Sequence, residues 1–231
     1  MERTSVPESG AKLRLAEAAE ELFAERGFES VSVRDITKRA GMNIASINYH
    51  FGSRDGLVAG VMIRYITPIN DERLARIEAL ERRWSGKAVP LEEILDAFVR
   101  PLATQVRKSD LSERLFLKLV GRMFGEQAAA MPPVVEEQFK QVLSRFVKAL
   151  SKALPTLAVD EILWRMHFVI GAMVHAMAQD EVLQRISQGA SGNPTVEATL
   201  SRFIRFAIAG LRNGMSEEVS AKPSPQATFN F

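Results

Sequence analysis

The stretch Asn43–His50, NIASINYH, gathers residue types that can read a nucleic-acid surface. An asparagine amide can pair bidentately with adenine, a serine hydroxyl can donate or accept, and alanine or isoleucine can touch a thymine methyl. A tyrosine hydroxyl and the backbone N–H groups at a helix start can meet phosphate oxygens. On a helix beginning after Asn43, Ile47 and Phe51 fall on one face, and Ile44, Ala45, Ser46, Asn48 and Tyr49 fall on the other. The chemistry expected of that second face is base-edge and phosphate recognition. Small Ala45 would let the backbone approach closely. His50 is a lone histidine with no acid–base partner near it, so it reads as packed, with a phosphate contact as its ligand role. Arg34, Lys38 and Arg54 are the cations placed to meet phosphates.

Such a face needs a scaffold, and the flanking residues supply one. Residues 12–26 put Leu13, Ala16, Ala19, Leu22 and Phe23 on one helical stripe, and Gly27 stops that helix. Ser32-Val33-Arg34-Asp35 has the form of a capping box, and Val33, Ile36 and Ala40 form the short apolar stripe behind it. Gly41 ends this second helix, Asn43 caps a third, and Ser53 caps a fourth that runs over about 53–83 through Pro68. Two short helices joined by a glycine turn, with a third packed on them, describe a helix-turn-helix, here over 32–51. Pro68 predicts a kink near a domain boundary. Further helices are expected over 90–107, 112–129, 132–154, 159–187 and 194–212, with Pro90, Pro132 and Pro194 at helix starts and Pro155 just past a helix end. No alternating run makes a strand. The expected fold class is all-α: a three-helix DNA-binding domain over 1–54, a larger helical bundle for ligand binding and dimerisation over 55–212, and a polar, turn-rich tail over 213–231 that reads as flexible.

Composition narrows the function. The chain has 231 residues and no cysteine, which removes thiolate catalysis, disulfides and Cys-ligated zinc. It carries no Walker loop, no nucleophile elbow and no zinc-protease helix motif. Glu92-Glu93 and Glu136-Glu137 are adjacent and point to different helix faces, so neither pair is a catalytic dyad. An enzyme, a metal and a cofactor are not expected. No run approaches the ~18 apolar residues of a membrane span, and the N-terminus has no apolar signal core, so a cytoplasmic protein is expected. Residues 1–51 hold seven Lys or Arg and eight Asp or Glu. A DNA-binding role therefore requires charges segregated by face, with Glu17, Glu20, Glu21 and Glu25 away from DNA.

The second half is apolar in two ways. Residues 159–187 are apolar nearly all round in the middle, so this helix must be covered on more than one side. One cover is its own domain; the other is a second copy of the chain, against which small Gly171 permits close approach. The expected dimer face takes in Gly171, Met173 and His175, with Phe203, Ala207 and Leu211 from the wide stripe of the last helix. A thick monomeric core is the alternative. Soft apolar groups also recur at helical spacing: Met62, Tyr65, Ile66, Phe98, Leu102, Phe116, Val120, Met123, Phe124, Trp164 and Phe168. Most such residues build a core, and a subset can line an apolar ligand pocket with His167 orienting a polar head group. His167 and His175 make two metal ligands at most.

The segment SVRDITKRAGMNIASINYHFGSRDGL, residues 32–57, resembles the helix-turn-helix signature of tetR-type regulators. The matching features are Ile36, Ala40-Gly41, Ser46, His50-Phe51, Arg54 and Leu57, with AEELFAERGFESVSVRDI before them. At Asn48-Tyr49 the chain departs from the common pattern, which leaves Asn48 as a candidate for a base. WRMHFVIGAM, residues 164–173, together with NYHFGS, resembles the PsrA-like, fatty-acid-responsive branch. The resemblance implies operator-binding, a dimer interface built by the last two helices, and a pocket for a small apolar ligand, a fatty acyl compound in that branch. The expectation is a transcriptional repressor released from a palindromic operator on double-stranded DNA. The rival is a helical lipid-binding or partner-binding protein without operator specificity.

Overall fold

The N-terminal helix α1 (Glu8–Arg26) ends where the Gly27 N–H bonds back to the Phe23 carbonyl at 2.9 Å and the chain turns at a positive φ of 87°. That conformation favours glycine. The computed structural model describes residues 8–126, 131–178, 180–192 and 195–213, and all regular elements among them are helices. The capping box holds as read: Ser32 Oγ accepts from the Asp35 N–H at 3.2 Å, and the Ser32 N–H donates to the Asp35 carboxylate at 2.9 Å. It opens α2 (Val33–Ala40), which Gly41 closes in the left-handed region. Asn43 then caps α3 (Ile44–Phe51).

Ser53 caps α4 (Arg54–Arg83), which stays one helix through Pro68. The close turn between α3 and α4 depends on Gly56, because a Cβ there would lie 2.0 Å from the Phe51 carbonyl oxygen. The three-helix module is held by Leu22, Phe23, Phe28, Ile36 and Ile47, all buried, with Phe23 and Phe28 stacked at 4.6 Å.

Beyond α4 come α5 (Leu91–Lys108), α6 (Glu113–Glu126), α7 (Pro133–Ala153), α8 (Val159–Ala178), α9 (Asp180–Ile186) and α10 (Val196–Arg212). The helix expected over 159–187 is seen as α8 and α9 on either side of residue 179, which lies outside the described residues. Pro194 and the tail from 214 onward fall outside the described residues, so the reading of that tail is left as an expectation. α4 packs against α5 and α7, α6 against α8, and α10 against α5 and α8. α1 packs not only on α2 and α4 but also on α6. Buried side chains from both halves form one continuous hydrophobic cluster.

Candidate nucleic-acid interface and effector core

The outer face of α3 is built from its cap outward. Asn43 is exposed, and its side-chain oxygen accepts from the Ser46 N–H at 3.1 Å and the Ser46 hydroxyl at 3.0 Å. The helix start is thereby fixed, and the Ser46 hydroxyl is oriented by its own cap. Ile44 is 45% exposed and Tyr49 73% exposed, while Ile47 between them is fully buried. Ala45 and Asn48 are exposed as well. A tyrosine left this open on an ordered helix is a large group with no role in the chain's own core. His50 is half-buried and sits edge-on to Tyr49 with ring centroids 4.9 Å apart. Arg34 and Lys38, one turn apart on α2, are both exposed.

Arg54 differs from these. It is half-buried, and its guanidinium donates to the Phe28 carbonyl and to the Val31 carbonyl, the latter at 3.4 Å. Those carbonyls lie in the loop between α1 and α2, so Arg54 ties the start of α4 to that loop. Composition gave no sign of this, because a carbonyl partner leaves no pattern in the sequence. The acidic residues of α1 also separate. Glu21 pairs with Arg39 of α2, whereas Glu20 is 2% exposed.

Glu20 forms a polar joint between the two halves. Its carboxylate accepts from the Tyr65 hydroxyl at 2.7 Å and from Arg64 at 3.0 Å, both on α4. Arg64 also reaches Asp110, in the turn between α5 and α6, at 3.8 Å. Burial pushes the Glu20 carboxyl above its ordinary range, and the Tyr65 hydroxyl and Arg64 pull it back. The same burial, with the Glu20 carboxylate beside it, raises the Tyr65 phenol. Tyr65 therefore serves a hydrogen bond at this joint as well as the apolar core.

Of the residues expected to line a pocket, Met62, Tyr65, Ile66, Phe98, Leu102, Phe116, Val120 and Met123 are all buried, and Phe124 is half-buried. They pack on one another and on α7: Tyr65 meets Phe116 edge-on at 5.4 Å, Phe98 meets Phe146 at 5.1 Å, and Phe124 meets Phe139 at 5.3 Å. Trp164, His167 and Phe168 do not join them. They stand exposed on the outer side of α8, with Trp164 60% and Phe168 62% exposed. The residues expected at a dimer face divide in the opposite way. Gly171 and His175 continue the outer stripe of Trp164 and Phe168, but Met173, Phe203, Ala207 and Leu211 are buried in the chain's own core. On α8 the reason is that the helix is apolar on two faces, and periodicity cannot say which one faces inward; on α10 the wide stripe of Phe203, Ala207 and Leu211 is taken up by the chain's own core. Phe206 of α10 is likewise exposed, at 68%, and sequence reasoning missed it. Arg165 lies between the faces, donating to the Leu211 carbonyl at 2.6 Å and to Glu161 at 2.7 Å, and so locks α8 to the end of α10.

The core also contains a buried cation. Arg73 of α4 is 4% exposed and donates to the Phe98 carbonyl at 2.8 Å and to the Asn70 side-chain oxygen at 3.1 Å. Its guanidinium carbon lies 4.2 Å from the Phe98 ring centroid. Burial lowers its pKa to about 10, which leaves it charged at neutral pH. Among the described residues there is no cluster of three His, Asp or Glu able to hold a metal ion, and no helix long and apolar enough to cross a membrane.

Comparison with known proteins places this arrangement. The family described as "Bacterial regulatory proteins, tetR family" matches residues 15–61, and "Tetracyclin repressor-like, C-terminal domain" matches residues 96–210. The HTH-type transcriptional repressor Rv3405c of Mycobacterium tuberculosis is 37% identical over 89 residues, covering 38% of this chain and 43% of that protein. The HTH-type transcriptional repressor KstR2 of Rhodococcus jostii is 39% identical over 54 residues, covering 23% of this chain and 26% of that protein. The chain thus spans less than half the length of these curated relatives. Among solved structures, the TetR family regulator PfmR from Thermus thermophilus superposes with a TM-score of 0.57 at 14% identity, over 88% of this chain and 99% of that one. A TetR-like regulator from a Rhodococcus species gives 0.55 at 19% identity, over 90% and 98%. Those structures share the fold, both halves match the family's two domains in order, and the chain belongs to the tetR family of bacterial transcriptional regulators.

Proposed function

We propose that the chain is a dimeric, ligand-released transcriptional repressor that binds a palindromic operator through α3. The observation that carries this is the outer face of α3: Ile44, Ala45, Asn48 and Tyr49 are all exposed on a helix whose start is fixed by Asn43 and whose back is sealed by Ile47. Asn48 reads a base edge, Tyr49 and the first-turn N–H groups of α3 meet phosphates, and Arg34 and Lys38 add phosphate contacts from α2. The exposed stripe Trp164, Phe168, Gly171 and His175 of α8, with Phe206 of α10, supports pairing with a second copy. A two-fold dimer presents two copies of α3 to two half-sites. The effector is a small apolar compound, of acyl type, held in the helical bundle. It acts by linkage: a compound that prefers a dimer with misplaced recognition helices must weaken operator binding reciprocally.

The test is selection of the purified protein against random duplexes at two salt concentrations, followed by sequencing. An enriched palindrome is expected, with affinity falling steeply as salt rises. Asn48→Ala should relax preference at one base position, whereas Tyr49→Phe should weaken binding evenly across sequences. Enrichment of no sequence at low salt would sink the operator reading in favour of a lipid-binding or partner-binding protein.

A further inference from the structure

Arg73 is buried beside neutral partners alone: the Phe98 carbonyl, the Asn70 amide oxygen and the Phe98 ring. These engage two of the five N–H donors of a guanidinium. No carboxylate among the described residues pairs with it. The nearby acids serve other arginines: Glu72 is paired with Arg76 and Asp96 with Arg100. Asn70, one turn earlier on α4, is fully buried, and its Nδ2 meets no acceptor among the described residues. Buried charges in proteins are paired, and buried amide donors are bonded. Here an unneutralised cation and an unanswered donor share one turn of one helix.

A single kind of group answers both, a compact anion with two oxygens. A carboxylate can accept from the guanidinium through one oxygen and from the amide through the other. Water or a backbone carbonyl could satisfy the amide but would leave the charge. A route in is also at hand. Asn70 and Leu74 are four apart and so lie on one stripe of α4. Leu74 lines a groove of about 630 Å³ between α4 and α7, faced by Gln141 and Ser144 and flanked by two cations, Lys140 and Arg145, and two acids, Glu78 and Glu137. One turn before Asn70, Thr67 bonds Gln138 across the same pair of helices at 3.2 Å. The stripe bearing Asn70 therefore runs along the α4–α7 seam. That volume lies within the range of small-molecule sites. Arg73 sits where the seam meets α5, since its partner Phe98 packs on Phe146 of α7.

The geometry points to a carboxylate subsite at Arg73 and Asn70, so that the effector is an organic acid whose head group enters through the α4–α7 groove. This deepens the effector reading above and rests on it. The apolar remainder of the acid lies along Leu74 and the neighbouring core. A neutral ester or amide of the same shape lacks the charge that Arg73 calls for.

The experiment uses the full chain and two probe acids, decanoate and phenylacetate, each beside its neutral primary amide. Melting temperature is followed against probe concentration. At least one acid raises Tm in a dose-dependent way and its amide does not. Asn70→Asp is the decisive variant, because it sets a carboxylate next to Arg73 from within the chain. It is expected to melt above wild type without any probe and to bind the acids about tenfold more weakly or worse. Arg73→Met, if it folds, loses the acid response as well. Equal responses to acid and amide, no response to either acid, or an undiminished acid response in Asn70→Asp would each overturn the subsite. Operator selection by the probe-free protein is run beside it. An intact operator with no acid response removes the subsite alone, whereas an acid response without operator selectivity removes the repressor reading and leaves the subsite standing.

Discussion

Replacing Tyr65 by Phe deletes one hydroxyl at the joint between α1 and α4 and almost no volume. That hydroxyl donates to Glu20 at 2.7 Å, with Tyr65 6% and Glu20 2% exposed. The substitution leaves a buried carboxylate with Arg64 as its remaining side-chain donor. A hydrogen bond to a charged group contributes about 1.5–3 kcal/mol, so a loss of about 2 kcal/mol is expected. For a chain of this size that corresponds to a fall in Tm of about 4–8 °C. The pH dependence makes the test sharper. Burial raises the Glu20 carboxyl above its ordinary value, and the Tyr65 hydrogen bond lowers it again. A carboxyl raised in the folded state binds its proton more tightly there than in the unfolded chain. It therefore weakens the fold at pH above its folded pKa, and stability is regained as pH falls through that value toward the unfolded one. Tyr65→Phe removes a lowering interaction and raises the folded pKa further. The gap between variant and wild type is widest at neutral pH and narrows as acidification protonates Glu20 in the folded state. Glu20→Gln removes the charge that burial penalises, so it should melt near wild type at neutral pH and show a flatter pH profile. Calorimetry of the three proteins at neutral and mildly acidic pH decides the matter. Identical melting of Tyr65→Phe and wild type at neutral pH, or a gap independent of pH, would refute the reasoning.

Three other perturbations follow from the same structure. Gly56→Ala places a Cβ 2.0 Å from the Phe51 carbonyl oxygen, and the forced shift at the α3–α4 turn should cost about 1–3 kcal/mol in urea unfolding; an unchanged midpoint would show that the turn yields freely. Arg54→Met should lower stability by cutting the tie to the Phe28 and Val31 carbonyls while leaving the salt dependence of DNA binding as it is, whereas Lys38→Ala should reduce the salt slope by about 1; a reduced slope for Arg54→Met would show that Arg54 meets a phosphate as well. Phe168→Glu with Phe206→Glu puts charge on the exposed faces of α8 and α10 and should yield a folded monomer in sedimentation equilibrium, and a persistent dimer would move the interface elsewhere.

What was readable in the residues was what is local. Caps and turns depend on a few adjacent groups, so Ser32-Asp35, Gly41, Asn43 and Ser53 announced the starts and stops of the first helices without reference to anything distant. The two faces of α3 followed from helical spacing, because a short helix against one core has one inside. The family was legible for the same reason, since the motif over 32–57 is one uninterrupted local pattern. Tertiary structure decided what depends on the far side of a contact. Trp164 and Phe168 are as apolar as Phe98 and Phe116, and their burial was set by which neighbours α8 met. Arg54 and Arg64 are alike in composition, yet one ends on backbone carbonyls and the other on a buried glutamate. Nothing in the spacing along α4 marks Arg73, and its burial follows from α5 closing over it. Spacing along a chain states which residues can share a face, and packing alone assigns that face to core, partner or ligand.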